Sequence, residues 1–469
     1  MATFYRPQPG AAGDFIPFYW QGEYHLFYLR DWRDSAQPGI SWWHLATRDF
    51  VHFQERGEAI PRGAPDQLDA DAWTGSVIAR GGTFHLFYTG HSDRYAGTGA
   101  ATQVVLRATS SDLDHWTKDP EFALWPPSSG YETADWRDPF VFWNEQAAEY
   151  WMLVAARRDR GPGRHRGCVA LLASPDLEAW ELRAPLWAPD LYYTHECPDL
   201  FRLGDWWYLV YSTFSECFAT HYRMGRSPAG PWLAPAQDTF DGRAYYAAKT
   251  AGEGDTRYLF GWLATREEEK DTGGWQWGGD LVVHQLAQQP DGSLAVRAPQ
   301  SVLAPFSQPV APAPRPVLGD WQVQPGQVAA QAAGRFSALA LGPLPEEGLL
   351  ETAVTYQPGT ASCGLLLRAD QALDHYYQLR LEPARQRIVF DRWPRPGDEP
   401  FTIERPLALA PGNPVTLRVL VDGTCLVAYA DDRVALSCRM YDHREGEWGV
   451  FVSEGAARFG EPSLRTRGG

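Results

Sequence analysis

The stretch "EYHLFYLRD" (residues 23–31) decides the fold. It mixes aromatic and aliphatic residues over strand length, with turn residues on both sides. The same shape returns as "TFHLFYTGH" (83–91), "EYWMLVAAR" (149–157), "DWWYLVYST" (205–213) and "TRYLFGWLA" (256–264). Counted from His25, His85, Trp151, Trp207 and Tyr258, the spacings are 60, 66, 56 and 51 residues. A second echo follows the first three copies: "ATRDFVHF" (46–53), "ATSSDLDHW" (108–116) and "ASPDLEAW" (173–180). Each sets an Asp at a turn ahead of an aromatic, and "SPAGPW" (227–232) is a looser fourth copy.

A period near 60 with several short strands per unit fits four-stranded propeller blades. No long amphipathic helix competes. The competing fold is a β-sandwich or barrel with chance echoes, and the ordered recurrence argues against it. Residues 1–303 therefore read as a five-bladed β-propeller. "APFSQPVAPAPRP" (304–316) carries five prolines and reads as a linker or wrap that cannot continue a sheet. Beyond it, "GLLETAVTYQ", "CGLLLRAD", "HYYQLRLEP" and "VTLRVLVDGTCLVAYADD" alternate as strands. Residues 317–469 therefore read as a β-sandwich of two antiparallel sheets. The fold class is all-β. Tyr376, Tyr377 and Trp393 are candidate sugar platforms in the sandwich, against a plain packing role.

Charge narrows the partners. With 58 acids against 42 bases the chain carries −16, so neither nucleic acid nor an anionic membrane is expected. No apolar run nears the roughly 18 residues of a spanning helix. The start "MATFYRPQPGAAGD" has no basic-then-apolar signal, which points to a cytoplasmic location. Six cysteines without a C-x-x-C pair read as reduced, and no metal or other cofactor is expected. Oligomeric state is not legible.

Innermost propeller strands open at one end of the central channel, so acids just ahead of them converge on a funnel. These are Asp14, Asp71, Asp138, Glu196 with Asp199, and Asp241. Convergent carboxylates among aromatics suit glycoside cleavage, with one acid ionised and a second protonated. Asp49, Asp112 and Asp176 recur at turns and read as turn caps instead.

"ADWRDPFVFW" (134–143) and "HECPDLFRL" (195–203), one blade apart, resemble the Arg-Asp-Pro and Glu-Cys-Pro signatures of glycoside hydrolase family 32. "YHLFY", "HLATRDFVHFQ", "WTGSVI", "YYAAKT" and "YLFGWLA" are similar to further segments of that family, in order. In the second domain "FDRW" and "VLVDGTCLVAYADD" are similar too. The resemblance implies retaining hydrolysis of a furanoside, usually a β-fructofuranoside, with a small carbohydrate as the partner. It implies Asp14 as nucleophile, Glu196 as acid/base, and Asp138 with Arg137 on ring hydroxyls. It implies Trp73, Ser76, Tyr246 and Trp262 around the sugar, with Trp20 and His44 as further binding candidates.

The first signature departs from the family. Asn-Asp-Pro-Asn-Gly is here Gly13-Asp14-Phe15-Ile16-Pro17, and the usual Gln after Tyr is Leu29. Other readings are a glycosyl transferase, a different furanosidase (arabinofuranosidase-like) and a carbohydrate-binding propeller without catalysis.

Overall fold

A computed structural model describes residues 3–34, 36, 38–395 and 402–468; the outer limits of the two expected domains, 1 and 469, lie outside them. The chain is all-β, a five-bladed propeller followed by a sandwich. The five repeated runs are the second strands of the blades: Glu23–Asp31, Thr83–His91, Glu149–Arg158, Trp206–Thr213 and Thr256–Arg266. Blades stack face to face, so both sides of these strands are covered. That is why the first two are buried along their whole middle and read as continuous apolar runs rather than alternating ones.

Inside them lie Ala11–Trp20, Asp71–Arg80, Tyr131–Asn144, Glu196–Leu203 and Tyr245–Glu253, each touching the next around the axis. Strand pairing between blades 5 and 1 is limited to Ala12 opposite Gly279. The ring therefore closes with almost no shared sheet.

The second echo is a turn device. Thr47, Ser110 and Ser174 hydroxyls accept the backbone N–H of Phe50, Leu113 and Leu177. Asp49, Asp112 and Asp176 accept the two N–H groups that follow. Phe50, Leu113 and Leu177 sit at φ 62°, 70° and 67°, and their side chains are buried. The polar residues thus hold a left-handed turn that drives an apolar side chain inward.

The sandwich is built on one long strand, Glu447–Thr466. Its first half pairs with Ser362–Ala369 and its second with Glu347–Tyr356, so it passes from one sheet to the other. The crossing falls at Glu454 and Gly455, where φ is 47° and 153°. A Cβ on Gly455 would lie 2.4 Å from the Thr360 backbone, so the corner admits only glycine. The proline-rich segment was expected not to continue a sheet. Gln308–Val310 nevertheless pair with Leu464–Thr466, which an edge position permits to proline.

Domains share one apolar cluster, and polar ties cross it. Arg439 of the sandwich donates to the Leu263 and Ala264 carbonyls of blade 5 and pairs with Asp280. Tyr377 is fully buried and donates to Asp271 at 2.6 Å, so it is an interdomain strut and no sugar platform. Tyr376 is buried as well, whereas Trp393 is half exposed. Asp241, read in the sequence as a funnel acid, turns away from the funnel. It accepts Ser437 N–H (2.7 Å), Ser437 Oγ (2.6 Å) and a His284 ring nitrogen (2.9 Å). The N-terminal segment adds a further tie, because Thr3 N–H donates to Asp422 of the sandwich.

Burial raises the Asp241 pKa, but His284 and Ser437 outweigh it and hold the carboxyl below the usual range. Asp241→Ala would strand a buried His and a buried N–H. We expect a loss of about 3–5 kcal/mol, as for a broken buried pair. A thermal or urea unfolding titration checks it; a loss under about 1 kcal/mol would show the cluster to be dispensable.

Candidate active site

All five inner strands break register at one level. The breaks fall at Gly13/Ile16, Trp73/Gly75, opposite Leu153/Ala155, Glu196/Asp199 and Tyr246/Lys249. Asp14, Asp138, Cys197 and Ala247 take positive φ of 42°, 59°, 50° and 51° at four of them. Non-glycine residues in that region are strained and cluster at functional sites. The bulges turn side chains out of the channel wall into a cavity of about 440 Å³. Asp14, Arg137, Asp138, Glu196 and Tyr246 all line it, drawn from blades 1, 3, 4 and 5.

Each carboxylate is held by named donors. Asp14 accepts Thr74 Oγ1 (2.6 Å) on one oxygen and Trp262 Nε1 (3.1 Å) on the other. Asp138 accepts the Cys197 N–H at 2.9 Å, and its own N–H donates to Thr89 Oγ1 at 2.8 Å. Glu196 accepts Arg137 (2.9 Å) on Oε1 and Tyr246 O–H (2.6 Å) on Oε2. Arg137 also donates to Asp135 at 2.6 Å and lies 3.9 Å from Asp138. One guanidinium thus spans the acids of blades 3 and 4.

The electrostatics follow from crowding acids in a dry funnel. Burial and the Asp138 charge push the Asp14 carboxyl up to about 7, against the pull of Thr74 and Trp262. Burial also raises Glu196, and the Asp138 charge adds to it; Arg137 and Tyr246 oppose without winning. Both shifts disfavour full ionisation of the cluster. One acid ionised beside one protonated is the state that glycosyl transfer from an oxygen needs.

The remaining candidates separate. Trp73 lines the cavity and stacks on His91 at 3.8 Å. Trp262 is fully buried and acts through its bond to Asp14. Ser76 lies in the wall between blades, its Oγ accepting Val141 N–H. Trp20 sits at the far end of its strand, six residues past Asp14, packed on Phe18 and Phe84. His44 is buried in the third strand of blade 1 against His25 (3.0 Å). Ser76, Trp20 and His44 are absent from the cavity lining. Asp71 caps Ile40 N–H, and Asp199 binds Thr250 inside the channel wall.

Thr74, Phe214, Phe218 and Trp277 are among the lining residues that were not anticipated. Phe218 stacks on Tyr246 at 3.8 Å and keeps its hydroxyl aimed at Glu196. Trp277 lies against the backbone of blade 1, where a Cβ on Gly13 would stand 2.5 Å from its ring. Gly13 is therefore required by Trp277. A tryptophan bracketed by glycines in "GGWQWGGD" was the available signal.

The comparisons agree with this architecture. "Glycosyl hydrolases family 32 N-terminal domain" matches residues 16–293, and "Glycosyl hydrolases family 32 C terminal" matches 328–464. The first match begins two residues past Asp14, at the divergent signature. The sucrose-6-phosphate hydrolase of Escherichia coli is 26% identical over 97% of this chain and 93% of its own. Raffinose invertase of Escherichia coli is 28% identical over 63% of each chain. Among solved structures, exo-inulinase from Aspergillus awamori superposes with a TM-score of 0.76 at 17% identity, covering 100% of this chain and 98% of that one. Sucrose-6-phosphate hydrolase from Lactobacillus gasseri gives 0.75 at 21%, covering 100% and 93%. From the two matched regions, the propeller with its sandwich and the acids in the funnel, the chain belongs to glycoside hydrolase family 32.

Proposed function

We propose that the chain is a retaining β-fructofuranosidase that removes a terminal furanosyl unit from a small oligosaccharide or glycoside. One observation carries this reading: Asp14, Asp138 and Glu196 come from three blades into one cavity, with Arg137 linking the last two. The names of the relatives support a sucrose-like substrate. No helix among the described residues is long and apolar enough to cross a membrane.

Asp14 attacks the anomeric carbon, and the C–O bond to the leaving group breaks as Glu196 gives that oxygen its proton. A covalent furanosyl ester on Asp14 results. Glu196, now ionised, takes a proton from water; the water oxygen attacks the anomeric carbon and frees Asp14. Positive charge on the ring in the transition state favours the ionised form of Asp14 and offsets the repulsion from Asp138. Arg137 keeps Asp138 and Glu196 in one frame, where Asp138 accepts ring hydroxyls.

The wall beside Asp14 is apolar. Leu29 replaces an amide, and Ile40, Trp73 and Trp277 continue the surface. A hydroxyl facing Leu29 has no partner there. Substrate choice therefore rests on fit and stacking on that side, and on hydrogen bonds at Asp138 and Arg137 on the other.

Glu196→Gln removes the proton donor. Turnover of a sucrose-type substrate should fall about 10²–10⁴-fold. An aryl fructoside, whose leaving group needs no proton, should lose far less in its bond-breaking step. Asp14→Asn should abolish turnover of both. Equal losses of the two substrates in Glu196→Gln would remove its assignment as the acid. Proton NMR of the first product should show a retained anomer; an inverted one would exclude a covalent ester.

The pH profile tests the charge account. Asp14 must be ionised to attack, so kcat/KM should fall as pH drops through a limb well above the ordinary carboxylate range. Asp138→Asn removes the like charge that raises Asp14. In the residual activity of that variant the acid limb should move to lower pH. A limb that stays in place would show that Asp138 does not set the ionisation of Asp14.

A further inference from the structure

A second cavity, of about 530 Å³, opens where the propeller meets the sandwich. Six arginines line it: Arg243, Arg380, Arg385, Arg387, Arg395 and Arg405. In a chain of net charge −16 this is a local inversion of sign. Like charges gathered around a small cavity repel, and the repulsion grows as water is excluded.

Among the described residues, nearby acids neutralise only part of it. Glu382 accepts from Arg380 (2.7 Å) and Arg387 (2.6 Å), and stands 3.7 Å from Arg385. Asp391 accepts from Arg380 (2.8 Å) and stands 3.9 Å from Arg395, while Glu404 pairs with Arg387. Three carboxylates therefore serve four guanidinium groups. Arg243 and Arg405 have no carboxylate within ion-pair distance among the described residues. Asp241 also lines the cavity, but its oxygens are engaged by Ser437, His284 and Gly242.

Arg405 is the telling residue. It is only 3% exposed, and it donates to two carbonyls, Thr239 (2.7 Å) and Ala435 (3.4 Å). Its Nε–H has no partner among the described residues. A buried guanidinium with an unspent donor is costly unless an anion completes it. Burial holds the Arg405 guanidinium below its usual range, in spite of the Asp241 charge. At the mouth, Arg243 is exposed, and the Arg385 and Arg395 side chains are 69% and 53% exposed. The arrangement is a buried cation at the floor and exposed cations at the rim.

We infer that this junction is a binding site for a phosphate-bearing small molecule, with the phosphate oxygens on Arg405 and on the rim arginines Arg243 and Arg385. Planar guanidinium groups match tetrahedral oxyanions through paired N–H donors, which a single ammonium cannot do. The volume holds a phosphate with one sugar ring. The site is separate from the catalytic cavity, although Phe218 lines both.

The test is calorimetry and thermal unfolding of the full chain at low salt, with three probes: inorganic phosphate, a hexose 6-phosphate and the same hexose without phosphate. Both phosphates should bind and raise the Tm, and the bare hexose should do neither at this site. A hexose phosphate that binds at least about tenfold tighter than phosphate would identify the sugar phosphate as the ligand, and equal affinities would identify the free anion. Arg243→Ala with Arg385→Ala should weaken phosphate binding about tenfold or more, each substitution removing charge-assisted bonds. Both side chains are at the mouth, so the Tm without phosphate should stay unchanged and serves as the folding control. Two results overturn the inference: no phosphate binding up to about 10 mM, an affinity of only about 3 kcal/mol, or binding that the double variant leaves intact.

Discussion

Three carboxylates share one funnel, and their mutual repulsion is the constraint around which the rest is arranged. Each extra negative charge in a dry site raises the cost of the next. The propeller meets this cost with donors from neighbouring blades rather than from the strand that carries the acid. Thr74 of blade 2 and Trp262 of blade 5 hold Asp14 of blade 1. Cys197 of blade 4 holds Asp138 of blade 3, and Arg137 of blade 3 holds Glu196 of blade 4. Every acid is thus fixed from an adjacent blade. The five register breaks supply the geometry, because a regular strand would point these residues along the wall and not into the opening.

Much of this was legible in the chain. The blades could be read because face-to-face stacking buries their second strands on both sides, and that leaves an unbroken aromatic-aliphatic run at a steady period. The turn acids could be read because Asp49, Asp112 and Asp176 repeat with the hydroxyl two residues ahead. Asp138 and Glu196 could be read because a left-handed bulge beside a proline or at a cysteine leaves the compact patterns "RDPF" and "ECPD", and Asp14 only from its place ahead of an inner strand.

What failed had a common cause. Asp241 looks like Asp14 in the sequence, since both precede an inner strand. Only Ser437, far along the chain, distinguishes them, by capturing Asp241 for the domain junction. Trp20 and His44 belong to segments close to the site in sequence, but one lies at the wrong end of its strand and the other in the wrong strand of its blade. Ser76 is on the right strand with its side chain turned into the wall. Phe218 reaches the cavity from a loop, where no periodicity announces direction, and Trp277 from the start of Trp275–Gln288, beside a register break. Sequence patterns located the strands; which way each side chain faces depended on register breaks that leave almost no trace.

The sparse seam between blades 5 and 1 has a consequence for how this family can vary. Strand pairing across it is one residue pair, and the rest of its grip is ring packing and bonds such as Trp262 to Asp14. The sandwich also grips both sides of the seam, through Arg439 on blade 5 and through Asp422 on the segment leading into blade 1. It serves as the clasp of the ring. A clasp that is lost or exchanged leaves the seam to its own contacts, so change in the sandwich is constrained by the propeller it closes.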